Sequence, residues 1–156
     1  MTVREQAEYY RVLLAMGLVR REDVIAWADR VVLESAGPPE VIDVSLATHK
    51  PDHEVDALLQ AVRGAGDLAA AAHAALHRLK PTLRDRPLKD AVKVVVAYGR
   101  AARVSDGEYF DAVLFEVLYD EMTEGYCGTE AEVWDALKAF VERYTAPYGK
   151  GQSPVR

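Results

Sequence analysis

The sequence predicts an all-α protein, a single-domain antiparallel bundle of seven or eight helices. In almost every segment, apolar residues recur at the spacing of one helix face. Start and stop signals bound these segments, and the predicted loops of about three to six residues favour antiparallel neighbours. We assign residues 1–146 to one domain with its own core, and 147–156, a stretch rich in Gly and Pro, to a flexible tail.

The N-terminal half is predicted to hold four helices. A capping box starts the first helix at Thr2, and this helix ends at Gly17. The second helix is predicted to end at Gly37, and a short third helix follows Pro39. Pro51 suits the first turn of the fourth helix, because proline lacks the N–H group that would be unpaired there.

Four more helices are predicted in the C-terminal half. Asp67 caps an alanine-rich fifth helix that Pro81 closes, and Pro87 opens the sixth. Ser105 and Thr129 each precede a Glu by three residues and therefore fit capping boxes for the seventh and eighth. The valine-rich run "VKVVVAYG" favours a strand, but it also has helical spacing. Because a lone strand would leave its backbone unpaired, we predict a helix there.

Helix seven is apolar on nearly all sides, which is typical of a helix at the centre of a domain or buried in an oligomer. Its apolar residues are Tyr109, Phe110, Val113, Leu114, Phe115, Val117, Leu118 and Met122. A structural homo-oligomer, for example a homodimer that buries Phe115 and Met122, therefore stays open as one function.

Composition excludes several classes of function. The net charge of -6 argues against a nucleic-acid-binding protein, and no apolar run reaches the roughly 20 residues of a membrane helix. A single cysteine, Cys127, and an N-terminus unlike a signal peptide predict a cytoplasmic protein. No phosphate-binding glycine loop or nucleophile motif is present, so we expect no cofactor and no catalysis.

The most unusual feature is an excess of acidic residues between positions 104 and 137, which hold ten carboxylates and no lysine or arginine. Four of the ten lie in first helical turns, where they complement the helix dipole. Glu116, Asp120 and Glu124 are spaced by four, so they repel one another at about 0.2–0.5 kcal/mol per pair. Violations of local rules concentrate at functional sites, so this row is a candidate.

Two explanations of the acidic row compete, beside simple solvation. Helix six carries a basic row that could face it as a ladder of salt bridges, each contributing at most about 1 kcal/mol. That basic row is Arg86, Lys89, Lys93, Arg100 and Arg103. Alternatively, the acidic row binds a basic protein partner, and nearby tyrosines supply desolvated contacts. The candidate partner-binding residues are Glu116, Tyr119, Asp120, Glu121, Glu124 and Tyr126.

The four histidines form two pairs with HxxxH spacing, which are His49 with His53 and His73 with His77. On a helix this spacing places both imidazoles on one face, as metal sites require. If the two pairs met, they would form a metal site. A metal-binding protein or a metal-dependent enzyme is therefore the alternative function, and exposed or capping histidines are the simpler explanation.

The N-terminal run "YYRVLLAMGLVRREDVIAWADRVV", followed by "PPEVIDVSLA", resembles the start of small helical bacterial proteins, some of which belong to the toxin-immunity class. The resemblance covers about the first 50 residues and carries no catalytic residue. It implies a cytoplasmic protein that binds a cognate toxin tightly. Toxins that attack nucleic acid are usually basic, which agrees with an acidic, tyrosine-bearing surface. We therefore predict a non-catalytic protein-binding module, an immunity protein that neutralises a basic toxin.

Overall fold

The computed structural model describes residues 1–34 and 37–146, and within them the chain forms eight α-helices and no strand. This confirms the all-α helical bundle. The helices are α1 (Val3–Ala15), α2 (Arg21–Leu33), α3 (Glu40–Ser45), α4 (Asp52–Ala61), α5 (Leu68–Leu79), α6 (Leu88–Ala102), α7 (Asp106–Thr123) and α8 (Glu130–Thr145). Helix α2 ends at Leu33, before the predicted stop at Gly37. The predicted flexible tail lies outside the described residues.

Most predicted helix caps are present. The hydroxyl of Thr2 accepts from the Glu5 N–H group, and the Glu5 carboxylate accepts from the Thr2 N–H group, which completes the first capping box. Thr129 forms the same box at α8, and Asp67 caps α5 by accepting from the Ala70 N–H group at 2.9 Å. These contacts explain why the helix starts could be read from the sequence.

The capping box predicted at Ser105 is only half formed. Its hydroxyl accepts from the Glu108 N–H group at 3.2 Å, but the Glu108 carboxylate points into the core and binds His73 and Tyr98 instead. The N–H group of Ser105 lies at an exposed helix end, where water can satisfy it, whereas buried donors need an acceptor from the protein. The carboxylate therefore serves the buried donors.

The valine-rich run is helical, as predicted, and forms part of α6. This helix buries nine of its residues, among them Val92, Val95 and the fully buried Tyr98. Valine has a modest helix propensity, so the burial of this side stabilises α6 more than its local sequence does. Arg103 ends the helix with φ at 48°, a left-handed conformation that glycine adopts more often.

Helices α6 and α7 are joined through only Arg103, Val104 and the cap Ser105, so α7 turns back along α6. The two backbones approach closely at Gly99, where an added Cβ atom would overlap the Cβ atom of Ala112. Glycine is therefore required for this close crossing.

All eight helices contribute to one contiguous hydrophobic cluster. Helix α1 packs against α2, α4, α5 and α6, and α8 packs against α5, α6 and α7. Within the described residues, no helix has the length and apolar character needed to cross a membrane.

Of the two positions expected for α7, the centre of the domain is wrong, and burial in an oligomer stays a prediction. Only Glu108, Ala112 and Phe115 of this helix are buried, whereas Phe110, Leu114 and Val117 are exposed. The short connection holds α7 on one side of α6, and its second face has no neighbour within the described part of the chain. Phe115 lies in the chain's own core, so it offers no surface for a homodimer.

Candidate functional site

One side of α7 faces away from the bundle and changes character along its length. Phe110, Leu114 and Val117 are 64%, 50% and 50% exposed and form an apolar stripe. Glu121 and Glu124 continue the same side at the end of the helix, and Asp120 lies at its edge towards α6, where it also lines a groove. We call these six residues the outer face of α7.

The predicted salt-bridge ladder between α6 and α7 has a single rung. Arg100 Nη2 lies 2.6 Å from Glu116 Oε2, and both side chains are more than half exposed. Among the described residues, Asp120 and Glu124 form no ion pair with α6. The ladder therefore accounts for one member of the acidic row and leaves the other two carboxylates to solvent.

The structure divides the six predicted partner-binding residues into two groups. Glu116, Tyr119 and Asp120 line a groove that runs beside α6. Glu121, Glu124 and Tyr126 lie at the C-terminal end of α7 and in the loop that follows it. Tyr119 is half-buried against the core, whereas Tyr126 is 76% exposed.

Glu121 organises the loop between α7 and α8. Its backbone oxygen accepts from the Tyr126 N–H group at 2.9 Å, and its carboxylate accepts from the Cys127 thiol at 3.1 Å. This hydrogen bond and the negative charge of Glu121 raise the pKa of Cys127. A nucleophilic cysteine needs a lowered pKa, so the arrangement holds the loop in place and does not activate the thiol.

The structure does not bring the two histidine pairs together. His49, His53 and His77 are exposed, whereas His73 is buried with its Nε2 atom 3.1 Å from both carboxylate oxygens of Glu108. Among the described residues, no group of three or more His, Cys, Asp or Glu side chains could hold a metal ion. The geometry therefore gives the metal-binding alternative no support.

Sequence reasoning missed a buried polar cluster around Glu108. Its carboxylate accepts from the Tyr98 hydroxyl and contacts His73, so it links α5, α6 and α7. The His73 ring stacks on Tyr144 of α8, whose hydroxyl donates to Asp111 at 2.8 Å. Burial and the Asp111 carboxylate raise the pKa of Tyr144 to about 12. The signal was ambiguous, since the position of Glu108 also fits a cap.

A second buried cluster surrounds Arg11. Its guanidinium donates two hydrogen bonds to Glu8, at 2.7 and 2.8 Å, one to Asp56 and one to the Ala101 carbonyl oxygen. Burial lowers the pKa of Arg11, but the hydrogen bonds and charges of Glu8 and Asp56 outweigh this effect and raise it. Arg11 thus stays charged and joins α1 to α4 and α6. In the sequence, the only sign of this cluster is the i,i+3 spacing of Glu8 and Arg11, which allows an ion pair on a helix.

No family model matches the chain, and neither the curated proteins nor the solved structures gave a significant match. The resemblance of the N-terminal residues to proteins of the toxin-immunity class therefore stays a prediction.

Proposed function

We propose that the protein is a non-catalytic binding module that binds a basic protein through the outer face of α7 and Tyr126. The observation that carries this proposal is the pairing, on one helix, of an exposed apolar stripe with carboxylates that have no ion-pair partner in the described chain. Apolar patches rimmed by polar residues are typical of protein-protein interfaces.

The two parts of the outer face have different roles in this proposal. Phe110, Leu114 and Val117 supply the area that loses water on binding and that therefore provides most of the affinity. Asp120 and Glu124 attract a basic partner, speed its encounter and set its orientation. Tyr126, a large amphipathic side chain at the edge of the surface, adds a further contact.

The chemistry of this surface defines the partner. Its complement is a protein with an apolar patch beside a cluster of lysine and arginine residues. The N-terminal resemblance narrows this class to a toxin that the protein neutralises in the cytoplasm by covering its surface. Both features support an immunity protein.

The test uses immobilised wild-type protein and two charge-reversed variants to capture basic proteins from the cytoplasm of the source organism. D120K/E124K alters the outer face, and E22K/D43K makes the same change in net charge at exposed positions on α2 and α3. We expect the wild type and E22K/D43K to retain the same basic protein and D120K/E124K to lose it. Equal retention by both variants would contradict the proposal.

Kinetic measurements on the purified partner separate the two parts of the surface. D120K/E124K should lower the association rate at least about tenfold at low salt, and the difference should shrink as salt rises. Leu114→Ser should raise the dissociation rate about tenfold and change the association rate little. An unchanged association rate in D120K/E124K would remove the acidic residues from the interface.

The same apolar stripe also favours a second candidate, a structural homodimer through α7. Sedimentation at several protein concentrations tests it, with Leu114→Ser as the variant. A dimer that dissociates on dilution and is lost in Leu114→Ser would assign the stripe to a second copy of the chain. If the protein is a monomer at all concentrations, the homodimer is excluded and the apolar stripe is assigned to the basic partner.

A further inference from the structure

A groove of about 930 Å³ lies beside α6, between α1 and α4 on one side and α7 on the other. Its size is within the range of sites that hold small organic molecules. The groove shares Glu116, Tyr119 and Asp120 with α7 but not the apolar stripe of the outer face. The groove thus meets the outer face of α7 at Asp120, and the inference about the groove rests instead on Lys89 and Lys93, which the proposed protein interface does not use.

The floor of the groove is apolar. Val92, Val96 and Ala97 of α6 line it, and Leu68 at the start of α5 and Ala15 of α1 add to it. Such a floor takes up the apolar body of a ligand, because burying apolar area on both sides removes it from water.

The charge of the groove is opposite in sign to that of the whole protein. Six basic and four acidic side chains line it, whereas the chain carries a net charge of -6. Three of the four carboxylates bind arginines, since Glu8 and Asp56 share Arg11 and Glu116 binds Arg100, and the lining as a whole keeps an excess of two positive charges. A concave surface with such a surplus of positive charge attracts anions.

Lys89 and Lys93 are the centre of this surplus. They lie four residues apart on α6, so both ammonium groups face the groove from one side of the helix and repel each other. In the described part of the chain, no carboxylate lies within ion-pair distance of either lysine, although Asp120 lines the same groove. An anionic group between the two lysines would relieve this repulsion.

We infer that the groove binds a small organic anion, with its apolar body on Val92, Val96 and Ala97 and its anionic head at Lys89 and Lys93. Arg11 positions the wall and does not hold the head, because its hydrogen bonds already go to Glu8, Asp56 and Ala101. Carboxylate and phosphate heads share the required chemistry, and the experiment distinguishes them.

The probes are decanoate, decyl phosphate and decylammonium, used below the concentrations at which they form micelles. These share one apolar body and differ in the head, so their dissociation constants, measured by calorimetry, report the preference for charge. We expect both anions to bind at one site, at least about tenfold more tightly than decylammonium. The tighter anion identifies the head. Equal binding of decylammonium would overturn the inference.

Two double variants locate the site. K89E/K93E reverses the two groove lysines, and K80E/K138E makes the same change in net charge at exposed lysines outside the groove. We expect K89E/K93E to weaken anion binding at least about tenfold and K80E/K138E to leave it nearly unchanged. All four positions are exposed, so both variants should melt as cooperatively as the wild type. If both variants weaken anion binding equally, the effect comes from the net charge of the protein, and the assignment of the site to Lys89 and Lys93 is wrong.

Backbone amide shifts in NMR spectra give an independent readout. Decanoate should shift amides of α1 and α6 around the groove and leave those around Phe110 and Leu114 unchanged. Shifts confined to the outer face of α7 would place the anion's apolar body on the exposed stripe and contradict the assignment.

Discussion

At Glu108, two sets of donors compete for one carboxylate. The local pattern predicts a cap that accepts from the Ser105 N–H group, whereas the fold supplies His73 and Tyr98 as buried partners. The cap does not form because the exposed Ser105 N–H group can bind water instead. A buried donor without an acceptor would lose its hydrogen bonds to water and gain none, which costs more free energy. The capping role that the nearby Ser105 predicts for Glu108 is thus replaced by contacts with residues that only the fold brings close.

Replacing Glu108 by Ala should lower the free energy of unfolding by about 3 kcal/mol, because it removes the shared acceptor of two buried polar groups. Urea denaturation followed by circular dichroism measures the change. The matched control is Glu116→Ala, which removes an exposed carboxylate from its pair with Arg100 and should cost less than about 1 kcal/mol. Equal losses in the two variants would show that burial of Glu108 does not matter.

The pair of α6 and α7 shows how the elements depend on packing. Helix α6 contains a run of valines that favours a strand locally, but burial of one side over the core stabilises it as a helix. Helix α7 has apolar residues on nearly all sides, yet it packs through one side only. The short connection determines this, since it brings α7 back along α6 and leaves Phe110, Leu114 and Val117 outside.

The close crossing of α6 and α7 predicts that a methyl group added at Gly99 lowers the stability of the protein. Gly99→Ala should destabilise the protein by about 1–2 kcal/mol, because overlap with Ala112 outweighs the better helix propensity of alanine. Thermal and urea denaturation measure it. Gly107→Ala is the control, since an added Cβ atom at Gly107 has no neighbour within 4 Å. It should leave stability unchanged or raise it by up to about 1 kcal/mol. A stable Gly99→Ala protein would contradict the crossing.

At the scale of the whole molecule, polar groups tie the helices together across the core. Arg11 joins α1 to α4 and α6, and Glu108 joins α7 to α5 and α6. Tyr144 joins α8 to α7 through Asp111 and to α5 through its stacking on His73. The charge of the molecule is also divided, with carboxylates at the end of α7 and a surplus of positive charge in the groove beside α6.

The contact between Tyr144 and Asp111 predicts how stability depends on pH. The pKa of Tyr144 rises from 10.0 to about 12 in the folded protein, so the unfolded chain loses this proton first as pH rises. The stabilisation is therefore complete below pH 10 and is lost as pH rises towards about 12.

Tyr144→Phe is the test of this contribution. The difference in unfolding free energy between wild type and Tyr144→Phe should be constant below pH 10 and should shrink between pH 10 and about 12. Urea denaturation at a series of pH values measures it, and the other tyrosines cancel in the difference. A difference that stays constant up to pH 12 would contradict the assigned pKa.

The sequence by itself determined the all-α class, a count of seven or eight helices and most of the helix starts, because those signals act over a few neighbouring residues. Thr2 and Glu5, or Asp67 and Ala70, lie three residues apart, so a helix forms the contact wherever it packs. Whether the acidic end of α7 is exposed or paired with α6 stayed open in the sequence, because it depends on how the two helices pack.

Only the tertiary structure decided which side of each helix faces the core and which charges meet. The partners in the two buried clusters are far apart in sequence, since His73 and Glu108 are separated by 35 positions and Arg11 and Asp56 by 45 positions. The groove likewise needs α1, α4, α6 and α7 in their final positions. Helical periodicity says which residues share a face but not what that face will meet, because packing depends on the shape of the whole core.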